Sequence, residues 1–433
     1  MEWWHIGTLM FIGLFLLLIL GIPVAFGLVS VSLVTSLFMW GPSGLITLAA
    51  NSFSCLANYL LLAAPLFIFM GVCIEVSGLG TDAFKAIENW LGGIRGGLAL
   101  CTVAAATIFG AATGFSGTGS SAFGPVALPQ MAKRKYDPGL ALGAMGGGSA
   151  LGVLIPPSVP FIMYGFLSGA SIAQLFYGGV TPGIIGSILF MTYISIRVRI
   201  NPSLAPRGLV ASWREKFGNT WRILPLFILI FLVLGSLWGG MATPTEAAAL
   251  GSFGAFLMVV FYRRFSLLSF KHIMIRTVEI TTMVGAIIIG AFAFTQMLSY
   301  SGFVTNFSSL VATLPVSPWI ILALMMAINI FLGCFLDTMG VLFLTLPIYL
   351  PVVEALGVDL VWFGVLIVIN TEIGCLTPPV GMNLYILKGV APPEWSFSTA
   401  VMGVAPYWFL YLFLLIIIMI VPQIALWLPS LAK

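Results

Sequence analysis

Long apolar segments separated by short polar ones run along the whole chain. We count twelve of them, six on each side of a basic stretch at 198–222. Their approximate limits are 6–20, 22–40, 57–77, 98–131, 138–169 and 174–196, then 223–240, 243–261, 278–300, 319–352, 360–388 and 400–428. A helix of about 20 apolar residues crosses a bilayer, and these runs lack the alternation of a membrane β-barrel. The pattern predicts an all-α polytopic membrane protein.

Two pairs of adjacent prolines interrupt this pattern. One lies in LGVLIPPSVPFIMYG at 151–165, and the other lies in IGCLTPPVGMNLYILKG at 373–389. Proline removes a backbone donor and clashes with the preceding helical turn, so each pair forces an unwound stretch. Unpaired backbone is tolerated at membrane depth only inside protein or beside a polar cavity. The segments 138–169 and 360–388 are therefore predicted to be helices broken at a functional position.

The two proline pairs belong to an internal repeat. Pro378 follows Pro156 by 222 positions, and Pro347 follows Pro125 by the same distance. Further matches occur in the same order at offsets of 221 to 224. Matches in one order and nearly one register predict two homologous halves.

Basic residues predict how the halves lie in the membrane. The linker 198–222 is the most basic part of the chain, so the positive-inside rule places it in the cytoplasm. Arg95 and Lys133–Lys135 flank the segment 98–131, so this segment should enter and leave on the cytoplasmic side as a re-entrant hairpin. Its counterpart, 319–352, then opens from the other side. Each half would cross about five times, the two halves would be inverted repeats, and both termini would be periplasmic.

Composition and charge argue against several other classes. The chain is 60% hydrophobic and 7% charged, with a net charge of +4. This small basic excess fits cytoplasmic loops that face anionic lipid, and it gives no indication of nucleic-acid binding. Five scattered cysteines and two histidines offer neither a transition-metal cluster nor a nucleophile–base pair, which disfavours an enzyme. A channel is also disfavoured, because occluding hairpins indicate alternating access.

Polar residues at the hairpin tips and helix breaks form the candidate site. Carbonyl and hydroxyl oxygens suit two or more Na⁺ ions, and helix N-termini suit a carboxylate. The predicted Na⁺ ligands of the first half are Gly114, Ser116, Gly117, Ser120, Gly148, Ser149 and Pro156. Those of the second half are Asp337, Thr338, Gly340, Thr371, Thr377, Pro378 and Gly381. The predicted substrate ligands are Ser121, Ser158, Glu372 and Asn383.

Other interpretations of these residues stay open at this point. The glycine-rich run at 146–152 is also typical of a close-packing helix surface. Asp337 and Glu372 lie inside spans, where ionisable residues are functional by default, although either could serve as a structural hydrogen-bonding group. The repeat pairs Ser149 with Thr371, which favours two related cation sites over isolated packing positions.

Several stretches resemble the large membrane subunit of TRAP (tripartite ATP-independent periplasmic) transporters. They are AAPLFIFMG, TGFSGTGSSAFGPVALP, IPPSVPFIMYG, GGVTPG, ATPTEAAALG and TPPVGMNLY. The resemblance covers nearly the whole chain and extends, more distantly, to the superfamily of divalent-anion/sodium symporters. It implies Na⁺-driven import of an organic acid by an elevator movement, with sodium sites built from the two hairpins and the two unwound helices.

The resemblance also implies partners and a location. A soluble periplasmic binding protein would deliver the substrate, such as a C4-dicarboxylate, sialic acid or a related carboxylate. A small four-helix membrane subunit would complete the transporter in the bacterial inner membrane. The remaining alternative is a single-component Na⁺/carboxylate symporter or exchanger that needs no binding protein.

A division into domains follows from the repeat and the hairpins. Scaffold regions are expected at 1–80 and 223–300, and transport regions at 96–197 and 317–433. Amphipathic, interfacial arms are expected to join them at 81–95 and 301–316, and the cytoplasmic linker covers 198–222.

Overall fold

The computed structural model describes residues 3–206, 208, 212–313 and 315–431. Parts of the predicted linker, one residue of the second arm and both chain ends lie outside the described residues. The helices before the linker are α1 (Trp3–Ile19), α2 (Val24–Trp40), α3 (Pro42–Leu56), α4 (Ala63–Ser77), α5 (Leu79–Leu91), α6 (Gly97–Thr113), α7 (Ser116–Lys133), α8 (Pro138–Gly152), α9 (Val159–Ser168) and α10 (Ile172–Ile200). The following helices, the first of which begins inside the predicted linker, are α11 (Trp213–Trp238), α12 (Pro244–Phe261), α13 (Leu267–Tyr300), α14 (Phe303–Thr313), α15 (Pro318–Gly333), α16 (Thr338–Ala355), α17 (Leu360–Cys375), α18 (Met382–Val390), α19 (Phe397–Ile420) and α20 (Gln423–Leu431).

The described residues have the predicted all-α membrane architecture. Six helical stretches within them have 18 or more residues and are apolar enough to span a membrane. Shorter apolar helices, among them α1, α2 and α15, accompany them. The predicted fold class is confirmed at this level.

The bounds of the helices recur at the offset that the sequence predicts. Ser116 and Thr338, which begin α7 and α16, lie 222 positions apart, as do Pro138 and Leu360, which begin α8 and α17. The hairpin α6–α7 and the broken helix α8–α9 therefore have the same helix order as α15–α16 and α17–α18. The opposite membrane orientation of the two halves stays a prediction.

Two of the predicted apolar segments are divided differently in the structure. The segment 57–77 becomes α4 and a preceding 3₁₀ turn at Tyr59–Leu62, where the Asn58 side chain accepts a hydrogen bond from the Leu60 N–H. The corresponding part of the second half is the continuous 34-residue α13. The segment 400–428 is divided at Val421 and Pro422 into α19 and α20.

The first hairpin turns more tightly than its glycine and serine content predicts. Glycine and serine at 110–124 are typical of a turn, but α6 continues to Thr113 and α7 begins at Ser116. Gly114 ends α6 with φ 75°, a left-handed conformation that glycine adopts without steric cost. The predicted tip residues from Ser116 to Ser121 consequently lie in the first turns of a helix.

The glycine-rich run of α8 is also a packing surface. A Cβ added at Gly147 would lie 2.5 Å from the Tyr407 ring of α19, so only glycine leaves room for the ring. The Tyr411 hydroxyl donates a hydrogen bond to the Gly147 carbonyl at 3.2 Å. A Cβ on Gly110 of α6 would lie 2.9 Å from Gly152 of α8. Small residues therefore let α8 approach α6 and α19 closely.

Each predicted arm is a helix that packs against the first helix of the opposite half. In the first arm, α5, the Trp90 Nε1–H donates to the Thr220 hydroxyl of α11 at 2.8 Å. In the second arm, α14, Phe303 packs edge-on against Trp3 of α1 at a ring-centroid distance of 5.6 Å. An ion pair joins Glu88 of α5 to Arg134, at the end of α7. The arms thus connect the two halves as well as the regions within each half.

Candidate functional site

We call helices α6–α9 the first unit and α15–α18 the second unit. In each unit the broken helix reaches the hairpin turn through backbone hydrogen bonds. The Val159 N–H donates to the Gly114 carbonyl at 3.2 Å. In the second unit the N–H groups of Val380 and Gly381 donate to the Cys334 carbonyl at 3.1 and 3.0 Å. Both breaks also contain a cis peptide, at Pro156–Pro157 and Pro378–Pro379.

The first unit joins its hairpin and broken helix through a pair of buried serines. The hydroxyls of Ser120 and Ser149 lie 2.6 Å apart, and Ser149 also donates to the Gly146 carbonyl at 3.1 Å. The Thr107 hydroxyl donates to the Gly148 carbonyl at 3.1 Å. The structure therefore brings together three of the predicted Na⁺ ligands of this half, Ser120, Gly148 and Ser149.

Two other predicted ligands of the first unit, Ser158 and Gly117, lie outside this serine pair. The Ser158 side chain is fully buried, and its hydroxyl has no hydrogen-bond partner among the described residues. Gly117 lies under α18, since a Cβ added there would be 2.8 Å from Ile386. Gly117 thereby allows the first hairpin to contact the second broken helix.

Asp337 begins the second helix of the second hairpin. Its carboxylate oxygens accept hydrogen bonds from the N–H groups of Met339 and Gly340, both at 3.3 Å. These bonds satisfy N–H groups that a helix start leaves without partners. The structure thus brings together Asp337, Thr338 and Gly340, as predicted for one cation site, while giving Asp337 a capping role as well.

A buried amide network crosses the second unit. The Asn329 side chain of α15 donates to Asn370 Oδ1 at 2.7 Å and to Thr371 Oγ1 at 3.1 Å. Its own carbonyl oxygen accepts from the Thr345 hydroxyl of α16 at 3.2 Å. Asn329 is fully buried and was missed as a candidate residue. The signal available for finding it was a lone amide in an apolar hairpin helix, 222 positions after Thr107.

Glu372 is the centre of a cluster that joins both units. The Thr338 hydroxyl donates to Glu372 Oε1 at 3.0 Å, and the Asn383 amide donates to Oε2 at 3.2 Å. The same amide donates to the Ser116 hydroxyl of the first hairpin at 3.0 Å, so Ser116 lies beside the Glu372 carboxylate. The Glu372 residue is only 1% exposed. Ser116 and Thr338, predicted as Na⁺ ligands, therefore lie with two predicted substrate ligands.

Three helix N-termini meet at this carboxylate. Ser116 begins α7, Thr338 begins α16, and Asn383 is the second residue of α18. The N-terminus of a helix carries partial positive charge and free N–H groups, which favour a nearby anion. Among the described residues, no lysine, arginine or histidine forms an ion pair with Glu372. The cluster is therefore an anion site built from neutral groups.

The remaining predicted ligands lie around these clusters. The Thr377 hydroxyl donates back to the Ile373 carbonyl at 2.6 Å, so it is engaged in its own chain segment. Pro378 and Pro156 lie in the two breaks, and Ser121 is half-buried in α7. Gly381 adopts φ 60° at the start of α18, where its conformation directs the chain into the helix.

Comparison with known proteins places the chain in a family. A family model described as the DctM component of tripartite ATP-independent periplasmic transporters matches residues 11–424. The chain is 30% identical to the C4-dicarboxylate TRAP transporter large permease protein DctM of Pseudomonas aeruginosa, over 91% of this chain and 92% of that protein. It is 31% identical to the sialic acid TRAP transporter large permease protein SiaM of Vibrio cholerae, over 96% of each.

Another relative and two solved structures extend this picture. The isethionate TRAP transporter permease protein DctMQ of Oleidesulfovibrio alaskensis is 30% identical over 87% of this chain and 59% of that protein. The YdaH transporter of Alcanivorax borkumensis matches 89% of this chain and 88% of its own, with a TM-score of 0.60 and 16% identity. MtrF of Neisseria gonorrhoeae matches 90% and 85%, with a TM-score of 0.60 and 12% identity. The solved structures show a shared fold, and the family model, which spans nearly the whole chain, shows that this protein belongs to the DctM family of TRAP transporter large permease components.

Proposed function

We propose that the chain is the large permease subunit of a Na⁺-coupled transporter that imports an organic acid across the bacterial inner membrane. The observation that carries this proposal is the buried cluster at Glu372, where the tips of both hairpins and the second broken helix meet. Polar groups at the meeting point of discontinuous helices are typical of substrate and ion sites in secondary transporters.

Na⁺ is the proposed coupling ion. The Ser120–Ser149 pair with the Gly148 carbonyl would supply one site, and Asp337 with the Thr371–Asn329 network would supply the other. Both sets contain hydroxyl, carbonyl or carboxylate oxygens, which hard cations prefer. A bound ion in either place would hold a hairpin against its broken helix.

An elevator movement is the proposed mechanism. In it the two units, with α10 and α19, move together against a scaffold of α1–α4 and α11–α13. The arms α5 and α14 contact both parts, which suits them to bending while the units travel. The inverted membrane orientation of the halves, the cytoplasmic linker and the periplasmic termini belong to this proposal.

The substrate and the partners follow from the family. Relatives are named for C4-dicarboxylates, sialic acid and isethionate, which are all anions of organic acids. We propose an organic acid as substrate here, a periplasmic binding protein that delivers it and a small membrane subunit that packs on the scaffold. A site of hydroxyl and amide donors at helix N-termini fits an acid group.

Uptake into proteoliposomes tests this function. The chain is reconstituted with its small subunit, and labelled acids are supplied with or without the cognate binding protein, under an inward gradient of Na⁺ or of choline. Uptake that needs both Na⁺ and the binding protein is expected. Na⁺-driven uptake without the binding protein would instead indicate a single-component symporter, and uptake indifferent to Na⁺ would remove the proposed ion sites.

A further inference from the structure

The groups around Glu372 have the chemistry of a carboxylate receptor. Thr338 and Asn383 donate to different oxygens of the carboxylate, at 3.0 and 3.2 Å, and the Ser116 hydroxyl lies beside them, where it accepts from Asn383 at 3.0 Å. These three groups come from the second hairpin, the second broken helix and the first hairpin. Three helix N-termini add partial positive charge at the same point.

The anion that fills this receptor belongs to the protein itself. Burial of an unpaired carboxylate is costly, and hydrogen bonds from polar donors offset much of that cost. Glu372 is nearly fully buried, so its contacts with water are replaced by these donors. The donors in turn are occupied, and they cannot hold a second carboxylate while Glu372 remains.

The first unit indicates that packing alone does not require a carboxylate here. The position that matches Glu372 at the offset of 222 is Ala150, which is fully buried in α8. Helix α8 packs against its hairpin helix α6 as α17 packs against α15, with paired glycines at the crossing in both cases. The same helix arrangement is thus built with alanine in one unit and with glutamate in the other.

We infer that Glu372 is an internal substitute for the substrate's acid group, which holds the two hairpin tips together while the site is empty. This inference rests on the proposed function, because it requires the substrate to be an organic acid. Glu372 lies three residues before the end of α17, next to the non-helical stretch 376–381. An arriving acid group displaces the Glu372 side chain and takes the hydrogen bonds that Thr338 and Asn383 donate, with Ser116 beside them. Anions that cannot satisfy the same donors leave Glu372 in place.

Chemical rescue of a truncated variant tests the receptor directly. In the purified full chain, Glu372→Ala removes the internal carboxylate and leaves the donors empty. We expect 200 mM sodium acetate to raise the thermal unfolding midpoint of this variant by about 2 °C more than that of the wild type. Acetamide, which has the same shape without the charge, and sodium chloride should not reproduce the effect. Glu75→Ala, which removes a half-buried glutamate two residues before the end of α4, should gain nothing from acetate.

A second variant keeps the inference testable if Glu372→Ala does not fold. Glu372→Gln keeps the shape and removes the charge, so it should compete less with an added acid. Succinate and sialic acid serve as probes in the same unfolding assay. We expect at least one of them to give half-maximal stabilisation at about a tenfold lower concentration in Glu372→Gln than in the wild type, the equivalent of one hydrogen bond to a charged group.

The outcomes separate this inference from the proposed function. Acetate rescue of Glu372→Ala supports the receptor whatever the uptake assay shows. Equal acetate effects in Glu372→Ala, Glu75→Ala and the wild type overturn it, even if Na⁺-driven uptake is intact. In the second assay the inference is overturned if succinate and sialic acid stabilise Glu372→Gln no more than they stabilise the wild type. The same holds if neither acid stabilises either protein.

Discussion

In the first unit the hairpin meets the broken helix through the Ser120–Ser149 pair and the Thr107 hydroxyl, whereas in the second unit side-chain amides make this contact and two carboxylates lie nearby. Matched positions show the difference residue by residue. Ala150 matches Glu372, and Phe115 matches Asp337, so neither of these two carboxylates has a counterpart in the first unit. The helix bounds nevertheless agree to within one or two residues. The shared feature is the backbone arrangement, and charged side chains at the hairpin turn and the helix break occur only in the second unit.

This difference has a consequence for ion binding. A site of neutral oxygens gains little Coulomb energy from a cation, while a carboxylate in a low-dielectric interior gains far more. The two proposed Na⁺ sites should therefore differ in affinity, with the site near Asp337 the stronger. The following variants, in order of expected effect, test whether the two units differ in this way.

Neutralisation of Asp337 should have the largest effect. Asp337→Asn keeps an oxygen for the N–H groups of Met339 and Gly340, so the helix start survives. Asp337 is half-buried, and an interaction with a charged group is worth about 1.5–3 kcal/mol, so the Na⁺ concentration for half-maximal uptake should rise by about 10- to 100-fold. Asp359→Asn is the matched control, because Asp359 caps α17 through the Trp362 N–H at 2.9 Å. A Na⁺ dependence equal in both variants would contradict the proposed site.

Removal of the buried amide should have the next largest effect. Asn329→Leu leaves Asn370, Thr371 and Thr345 without a shared partner, at a cost of about 1–3 kcal/mol for each group that stays unpaired. The matched variant in the first unit, Thr107→Val, loses one hydrogen bond between helices, worth about 1 kcal/mol. Thermal unfolding in detergent should show a clearly larger decrease for Asn329→Leu. A larger decrease for Thr107→Val would reverse the comparison.

The serine pair of the first unit should contribute less. Ser149→Ala removes a hydroxyl from a neutral site, and a hydrogen bond of about 1 kcal/mol corresponds to a roughly fivefold higher Na⁺ requirement. Ser120→Ala should give a similar change, and the double variant should cost little more than either alone, since the hydroxyls lie 2.6 Å apart and act together. Additive effects on the Na⁺ dependence of uptake would show that the two serines act separately.

The ion pair at the base of the first hairpin should matter least. Glu88 of the first arm pairs with Arg134, and the position that matches Arg134 in the second unit is the apolar Leu356. Pairs near the surface contribute about 0.2–1 kcal/mol, so Glu88→Gln should lower the unfolding midpoint by no more than about 2 °C. The effect should disappear at high salt, as for the exposed Arg276–Glu279 pair in a Glu279→Gln control. A decrease that persists in salt would show that Glu88 acts by packing.

Much of the fold could be predicted because the chain's own repetition constrains it. The prolines at 156 and 378 mark the two breaks, and the offset of 222 predicts matched helices from α6 to α9 and from α15 to α18. The 3₁₀ turn after Asn58 could not be predicted in this way, because its counterpart in α13 is helical throughout. The repeat predicts the helices that the two halves share, and it gives no information on elements that occur in one half only.

The site could be predicted only in part for a related reason. Spacing identified Ser116, Glu372 and Asn383 as polar residues at interruptions, but it did not predict that these three side chains meet. The structure brings Ser116 to within 3.0 Å of the Asn383 amide, a contact between residues 267 positions apart. Such a contact depends on how the units pack against each other, and no local pattern encodes that arrangement. Asn329 was missed because a single amide does not change the apolar character of its segment.

The packing of each arm against the opposite half has a consequence for the order in which the protein assembles in the membrane. The hydrogen bond from Trp90 of α5 to Thr220 can form only after α11 has been synthesised. The packing of Trp3 against Phe303 can form only after α14 has been synthesised. The N-terminal half, inserted first, would therefore remain unfinished until the second half supplies both contacts. A chain cut within the linker and expressed as two pieces should assemble only when both pieces are present in the same membrane.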